Sequence, residues 1–304
     1  MTKNPATDHQ RLTQRNVYIL PTGAGWMLGL TLAVLLLASI NYQLNLGYAL
    51  TFLLAASAVA SMHVSHANLR DLVLNLIAPD AIFACAAGIF YVEVQNPLQR
   101  ARYGLSLGLA DAGDAAAVGF DLGAQASTRC ALSWTPTQRG LQALPPLRAH
   151  SLFPLGTFRV WTLWRPATPV CVYPQPEAHP PPLPWGYDEG AHPGARTQRT
   201  EGEPDGVRAY RVGDPLKRVI WKKAAKTGAL VSHDSAPSQS QTLWLTLAST
   251  RLSAREAQLS RLCAWVLQAD RLGLRYALQI GASTIDADHG LAHRARCLRA
   301  LALA

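Results

Sequence analysis

One long stretch of this chain carries no charged side chain. Residues 16–69 contain no Asp, Glu, Lys or Arg. Two apolar segments lie within it, at 23–40 and 46–64, and the polar residues 41–45 separate them. Each segment approaches the ~20 residues with which a helix crosses about 30 Å of hydrocarbon. The stretch therefore predicts a two-helix membrane hairpin, which we place at residues 23–64.

A cleaved signal peptide and a buried helical hairpin are the two alternatives to a membrane hairpin. A signal peptide has a short basic region followed by a single apolar core. Here the preceding region is long and a second apolar segment follows at once, which disfavours cleavage. A helical hairpin buried in the core of a soluble protein has a similar composition, so this alternative stays open.

The charges that flank the hairpin predict its orientation. Cations lie on both sides of the uncharged stretch, while the loop at 41–45 has none. Because cytoplasmic flanks of membrane helices are enriched in Lys and Arg, both ends are expected in the cytoplasm. Residues 1–22 are then a cytoplasmic N-terminal tail. The flanking cations are Lys3, Arg11 and Arg15 before the hairpin, and Arg70, Arg100 and Arg102 after it.

The chain as a whole is basic, with a net charge of +9 and an isoelectric point of about 9.6. Nucleic acid is one partner for such a chain, but no DNA- or RNA-binding motif is present. Next to membrane helices, anionic lipid headgroups or an acidic protein surface account for the charge more simply. The five cysteines include no C-x-x-C pair, which predicts reduced, buried thiols in place of a zinc site or disulfides.

The region 70–174 has the alternating pattern of β-strands. Short strands at this spacing, separated by Gly, Pro, Asp and Asn turns, predict an antiparallel, immunoglobulin-like β-sandwich. Prolines crowd the residues that follow, 175–204, and predict a linker. The clearest strand-like runs are at 72–78, 89–96, 103–110, 129–136 and 158–164.

The last sixty or so residues alternate between strand and helix patterns. An apolar run at 242–247 and another at 276–280 predict two strands. Ser253 and Glu256 have the spacing of a capping box, which predicts a helix from there to about Arg271. Strand–helix–strand order predicts a parallel strand pair, with a further helix after it.

The most cationic part of the chain follows the linker, at residues 203–231. Gly213, Asp214 and Pro215 predict a turn, since Pro215 fixes its φ near the helical value and Asp214 can cap the next N–H groups. Apolar residues at helical spacing then predict a short amphipathic helix over 215–226 with a basic outer face. Cations and aromatic side chains at this density usually face a partner or solvent.

The same segment carries the pattern R-x-Y-x-x-G-D-x-x-x-x-I-x-W-x-x-x-A, from Arg208 to Ala225. It resembles the signature of the bacterial family known as domain of unknown function 58. The resemblance implies a two-pass protein of the bacterial inner (plasma) membrane that works with a MoxR-type AAA+ ATPase. It also implies that residues 205–304 hold a truncated α/β lobe similar to the von Willebrand factor A fold.

Two places invite a metal-site interpretation. A von Willebrand A-like domain that binds Mg²⁺ needs D-x-S-x-S after its first strand, and residues 246–250 offer hydroxyls without a carboxylate, so no metal is expected there. His289 and His293 are four residues apart, and two imidazoles at this spacing on a helix can share a metal ion. The alternative, which we favour, is a solvated helix N-terminus with Asp286 and Asp288 near the positive end of the helix dipole.

These observations predict a membrane-anchored, non-enzymatic scaffold or adaptor that acts with a MoxR-type AAA+ ATPase in complex assembly or cell-envelope maintenance. The expected partners are that ATPase or another protein of its complex, and membrane lipids. No nucleic acid, small-molecule substrate, cofactor, metal or catalytic residue is assigned. The alternative is an enzyme of unknown reaction whose active site is the 208–226 motif. The predicted partner-binding residues are Arg208, Tyr210, Arg211, Gly213, Asp214, Lys217, Trp221, Lys222 and Lys226.

Overall fold

The chain divides into two compact units. One comprises Met1–Pro176 together with Leu298–Ala304, and the other comprises Glu177–Cys297. The residues that the computed structural model describes are 6–185, 206–209, 231–234 and 242–304.

The first unit contains two long helices, Gly23–Asn41 (α1) and Asn45–Leu69 (α2). By length and composition, both are apolar enough to cross a membrane. α1 begins after Thr22, whose Oγ1 accepts a hydrogen bond from the backbone N–H of Gly25 at 3.1 Å. α2 continues to Leu69, past the predicted end at residue 64, because its last turns pack on the β-domain and are buried there.

Two antiparallel sheets form this β-domain. The first sheet consists, in order, of His9–Arg11 (β1), Val73–Leu76 (β3), Gly88–Gln95 (β5) and Ser127–Trp134 (β8). The second consists, in order, of Tyr18–Pro21 (β2), Phe158–Trp164 (β11), Leu147–Ser151 (β10), Arg102–Leu109 (β6) and Val118–Leu122 (β7). A small third sheet joins Ile82–Phe83 (β4), Val170–Tyr173 (β12) and Gly140–Gln142 (β9), and within it β4 and β12 are parallel.

The two larger sheets share one apolar core. Phe90 and Val92 of β5 and Leu107 of β6 are at most 1% exposed and belong to the same cluster of buried side chains. Alternation explains this arrangement, since every second residue of a strand points to the same face. Trp164 is fully buried, and its indole N–H donates to the carbonyl oxygen of Thr7 at 2.6 Å. The antiparallel β-domain predicted for residues 70–174 is confirmed in this form, as a two-sheet sandwich.

Residues 1–22 differ from the predicted tail, because they supply a strand to each sheet. β1 pairs with β3, and β2 pairs with β11. Between the two strands, Leu12 is fully buried and Val17 is 6% exposed in the sandwich core. These strands have three and four residues, too few for their alternation to be recognised in the sequence.

The second unit contains a three-stranded sheet of Leu243–Thr246 (β15), Tyr276–Ile280 (β16) and Ser283–Asp288 (β17). β15 and β16 are parallel, which confirms the prediction, and the helix Arg255–Arg271 (α3) connects them. β17 pairs antiparallel to β16 and was not predicted, since its sequence is mostly polar. The helix Leu291–Leu303 (α4) follows, and its residues from Leu298 onward are counted with the first unit.

The ends of α3 differ in how well the sequence predicts them. The helix ends at Arg271, as predicted, and Gly273 follows it with a φ of +65°, because glycine adopts left-handed backbone without a steric penalty. At the other end the capping-box prediction is wrong, since the N-cap residue is Ala254 and its side chain makes no capping hydrogen bond. The helix begins one residue later than the capping box predicts, so Ser253 does not occupy the N-cap position.

Candidate functional site

The predicted partner-binding motif falls mostly outside the described residues. Arg208 lies in the strand Gly206–Ala209 (β13), which pairs antiparallel with Val231–Asp234 (β14). Ala209 and Val231 are paired at one end of this two-stranded sheet. The other predicted residues lie outside the described part of the chain, and their roles stay predictions. They are Tyr210, Arg211, Gly213, Asp214, Lys217, Trp221, Lys222 and Lys226.

The helical hairpin presents a large apolar surface. On α1, Trp26 and Met27 are 70% and 71% exposed, and on α2 Leu46 is 83% exposed. A continuous apolar surface of this extent marks contact with a membrane or another protein. The charge-free stretch of the sequence is therefore also an uncovered surface.

The base of the hairpin is joined to the β-sandwich by polar side chains of α2. Ser65 Oγ donates to the carbonyl oxygen of Phe153 at 2.6 Å. Asn68 Nδ2 donates to the carbonyl oxygen of Tyr103 at 2.8 Å and to Ser151 Oγ at 2.9 Å. Asn68 is only 4% exposed, and such a buried amide is stable only when it is hydrogen-bonded. This junction fixes α2 to strands β6 and β10.

The start of α1 is attached to the same edge of the sandwich. Thr22 N–H donates to the carbonyl oxygen of Thr157 at 2.9 Å, and Thr22 Oγ1 donates to the carbonyl oxygen of Gly156 at 2.6 Å. Gly25 lies so close to this loop that an added Cβ would be 2.1 Å from the oxygen of Thr157. A glycine is required here because two backbones touch. Both helices are therefore held by the residues that connect β10 and β11.

Arg102 completes the junction from β6. Its side chain is 4% exposed and its guanidinium donates to the carbonyl oxygens of Ala67 and Arg70, at the C-terminal end of α2. A cation at this end of a helix interacts favourably with the helix dipole. Burial lowers the pKa of Arg102 from its usual value, and nearby Arg100 lowers it further. At the protein surface beside it, Asp71 forms ion pairs with Arg11 at 3.2 Å and Arg70 at 3.1 Å.

The sequence contains a signal for this junction that length and hydropathy do not reveal. Ser61, Ser65 and Asn68 have the spacing i, i+4 and i+7, so they share one face of α2. All three are buried, with exposures of 3%, 1% and 4%. A polar stripe along an otherwise apolar helix marks the face that meets protein. The hairpin was predicted without this stripe, so the junction was missed.

The hydroxyl groups of the first candidate metal position, residues 246–250, form local hydrogen bonds. Ser249 Oγ donates to the carbonyl oxygen of Thr246 at 2.6 Å, and Thr250 Oγ1 donates to that of Leu247 at 2.6 Å. Within the described residues no group of three or more His, Cys, Asp or Glu is placed to hold a metal ion.

His293 corrects the interpretation of a solvated helix N-terminus. His289 is exposed, but His293 is fully buried and lies against Tyr276 and Cys297. Its Nε2 is 2.9 Å from the carbonyl oxygen of Tyr276 and 3.5 Å from Cys297 Sγ. The buried face of α4 therefore includes this imidazole, while Leu291 is 70% exposed.

All five cysteines lie in the described part of the chain, where none forms a disulfide bond, and three of them are buried. Burial raises the pKa of Cys130 to about 11 and those of Cys263 and Cys297 to about 12, so these thiols react slowly at neutral pH. Cys171 is partly buried. Cys85 is exposed, against the expectation that all five are buried, because it lies in a turn with a φ of +59°.

Comparison with known proteins adds little to this description. No protein-family model matches the chain, and no curated protein matches it significantly. Two solved structures of the CARDB domain of a Pyrococcus furiosus protein are similar to part of it. The solution NMR structure has 16% identity, covers 33% of this chain and 93% of the domain, and has a TM-score of 0.24. The crystal structure, a complex with di-metal ions, has 16% identity, coverages of 34% and 92%, and a TM-score of 0.21.

Proposed function

We propose that this protein is a membrane-anchored scaffold of the bacterial inner membrane. The observation that carries the proposal is the exposed surface of the hairpin. Only 6% of the most apolar 18-residue stretch of α1, and 11% of that of α2, is buried. Each Å² of apolar surface removed from water contributes about 25 cal/mol, so a surface of this extent is stable in lipid and costly in water. The buried hairpin of a soluble core, the open alternative, would have most of this surface covered.

The junction supports the role of a scaffold. Both helices are hydrogen-bonded to the sandwich, by Thr22 at the start of α1 and by Ser65 and Asn68 near the end of α2. The connections between helices and strands are short, since β2 ends at Pro21 and β3 begins at Val73. A domain attached in this way keeps a fixed height and orientation above a membrane, which suits the presentation of a docking surface.

The distribution of cations supports a cytoplasmic sandwich. Three exposed arginines lie in the connecting segments next to the strands at the base of the hairpin. They are Arg15 between β1 and β2, Arg70 between α2 and β3, and Arg100 between β5 and β6. The loop between the helices is uncharged, and Tyr42 within it is 71% exposed. The positive-inside rule assigns such a hairpin a cytoplasmic base and a periplasmic tip.

The proposed partner is a MoxR-type AAA+ ATPase or another protein of the same complex, and the proposed docking residues are the cations of the 208–226 motif. The resemblance of the motif to the family signature supports the choice of partner. Charge supports the choice of surface, since a basic segment accelerates association with an acidic partner. Within this proposal the sandwich is immunoglobulin-like and residues 205–304 belong to a von Willebrand factor A-like lobe, which the parallel unit β15–α3–β16 supports.

The test is the rate of association between the full-length protein in lipid nanodiscs and a MoxR-type ATPase. Lys222→Glu with Lys226→Glu should slow association, and the effect should weaken as ionic strength rises. Arg129→Glu with Arg255→Glu is the matched control, because both side chains are exposed and the net charge changes equally. If both pairs of substitutions slow association equally, the motif acts only through the net charge of the protein and not as a specific docking surface. Unchanged association in the first pair would remove the proposed docking surface.

A further inference from the structure

The loop that connects β10 and β11, residues 152–157, combines an apolar sequence with an exposed position. Its sequence, LFPLGT, has no charged residue. Leu152 is 40% exposed and Leu155 is 57% exposed. We call these six residues the seating loop, because they are the part of the sandwich that both helices contact.

The contacts of the seating loop define its depth relative to the helices. Thr157 lies against Gly25, in the first turn of α1, and Phe153 is hydrogen-bonded to Ser65 of α2. Gly25 is two residues into α1, or about 3 Å along its axis. The 19 residues of α1 span about 28 Å, close to the thickness of the hydrocarbon layer. The loop is therefore level with the inner edge of that layer.

The backbone of the seating loop is suited to a medium without water. The carbonyl oxygens of Phe153, Gly156 and Thr157 accept from Ser65 or Thr22. The N–H of Gly156 donates to the carbonyl oxygen of Leu152 at 2.8 Å, the N–H of Phe153 donates to Ser151 Oγ, and Pro154 has no N–H. Unpaired backbone groups are costly in lipid, and these backbone groups of the loop all have partners within the protein.

We propose that the seating loop inserts Leu152 and Leu155 into the inner leaflet, at the boundary between lipid headgroups and acyl chains. The binding partner of the loop is the lipid bilayer, because the loop extends the apolar surface of the hairpin at the inner edge of the hydrocarbon layer. Tyr103 supports this placement: it is 49% exposed, and its ring is 5.5 Å from that of Phe153. Aromatic side chains are enriched at that boundary. The inference rests on the proposed membrane anchor, and it makes the sandwich a third point of attachment.

The experiment places a nitroxide at single introduced cysteines of the full-length protein, in a Cys85→Ser background. The protein is reconstituted in vesicles of phosphatidylethanolamine and phosphatidylglycerol. Leu155→Cys reports the seating loop and Val34→Cys, 59% exposed, reports the middle of α1. The remaining native thiols are wholly or partly buried, and burial raises the pKa of each, so they take up little label.

Ile89→Cys is the matched control. Its exposure equals that of Leu155, at 57%. Ile89 is near the opposite end of β5 from Gln95, which pairs with Val73 just after α2. Ile89 is six positions from Gln95 along the strand, or about 20 Å. A label there belongs in water if the hairpin is in the membrane.

Collision with oxygen, which concentrates in lipid, is compared with collision with a water-soluble nickel chelate. We expect the oxygen-to-nickel ratio at Leu155 to exceed that at Ile89 several-fold and to approach the ratio at Val34. A lipid-like ratio at Val34 with a water-like ratio at Leu155 would contradict the insertion of the seating loop but would support the proposed membrane anchor. A water-like ratio at Val34 would overturn both. A Leu155 label shielded from both reagents would show a protein neighbour in place of lipid and would also overturn the inference.

Discussion

Asn68, in the last turn of α2, pairs with Tyr103 through both ends of its amide. Its Nδ2 donates to the carbonyl oxygen of Tyr103 at 2.8 Å, and its Oδ1 accepts from the N–H of Tyr103 at 3.3 Å. This is the pattern in which one residue of an antiparallel strand bonds to its neighbour, supplied here by a side chain. One helix residue thus extends the hydrogen bonding of the sheet into the hairpin.

Replacement of Asn68 by Ala is expected to destabilise the protein by about 1–3 kcal/mol, because it removes both amide hydrogen bonds to the part-buried backbone of Tyr103 and leaves its carbonyl oxygen only the 3.5 Å contact with Ser151 Oγ. Unfolding by guanidinium in detergent micelles, followed by tryptophan fluorescence, to which the buried Trp164 contributes, measures the change. Asn45→Ala is the control, since Asn45 is an exposed asparagine at the other end of α2. Equal stability of the two variants would show that the amide contributes nothing at the junction.

Gly25→Ala is expected to disturb the contact between α1 and the seating loop. The new Cβ would be 2.1 Å from the carbonyl oxygen of Thr157, so one of the two backbones must move. Overpacking of this kind costs about 1–3 kcal/mol. Gly29→Ala lies one turn further along α1, where an added Cβ meets nothing within 4 Å, and it should leave stability unchanged or raise it. Thermal unfolding of both variants in the same nanodiscs decides between these outcomes.

The sequence predicted the parts of the fold that depend on regular repetition. Strands such as β5 and β11 alternate over seven or eight residues, and α1 and α2 are apolar along their length. Prediction from the sequence failed for the elements whose structure depends on tertiary contacts. β1 and β2 are polar or too short to show a period, and they become strands because β3 and β11 offer them partners.

The same limit applies to the candidate site. The seating loop is only a turn in the sequence, and its importance depends on Thr22 and Ser65, which come from distant parts of the chain. His293 is a polar residue whose burial depends on the carbonyl oxygen of Tyr276, seventeen residues earlier. Contacts of this kind leave no periodic pattern, so reading the sequence for periodicity does not find them.

The pair Glu177 and Arg261 predicts a pH dependence of stability. Arg261 Nε and Nη2 donate to the two oxygens of Glu177 at 2.8 and 2.9 Å, and these hydrogen bonds lower the pKa of the carboxyl group. A group whose pKa is lower in the folded state stabilises the fold above its unfolded pKa, which is about 4.3 for Glu. That contribution is lost as the pH falls through the lower, folded value.

The stability difference between the native protein and Glu177→Gln should therefore be present at pH 7 and shrink as the pH falls below about 4. Chemical unfolding at a series of pH values measures it. Asp286→Asn removes one exposed carboxylate of β17 and controls for the change in net charge. A difference that is constant across the pH range would mean that protonation of Glu177 does not weaken its interaction with Arg261, and would contradict the lowered pKa.

The orientation of the hairpin can be tested with a membrane-impermeant thiol reagent in intact cells. Tyr42→Cys, at the exposed tip between α1 and α2, should react from outside if the tip is periplasmic. Asn4→Cys and a cysteine added after Ala304 should react only after the inner membrane is permeabilised. The native Cys85 is exposed in the sandwich and serves as an internal control for the cytoplasmic side.

This result is expected because the base of the hairpin carries cations and its tip carries no charge. Cationic flanks are retained on the cytoplasmic side when a hairpin inserts into the inner membrane. The cations at the base are Arg11, Arg15, Arg70 and Arg100. Cys85 and the label at position 4 should behave alike, since β1 begins five residues after position 4 and belongs to the same sandwich as Cys85. Labelling of Cys85 from outside, with Tyr42→Cys protected, would place the sandwich in the periplasm. A cytoplasmic ATPase would then have no access to the 208–226 motif, and the proposed partnership would fail while the membrane anchor remained.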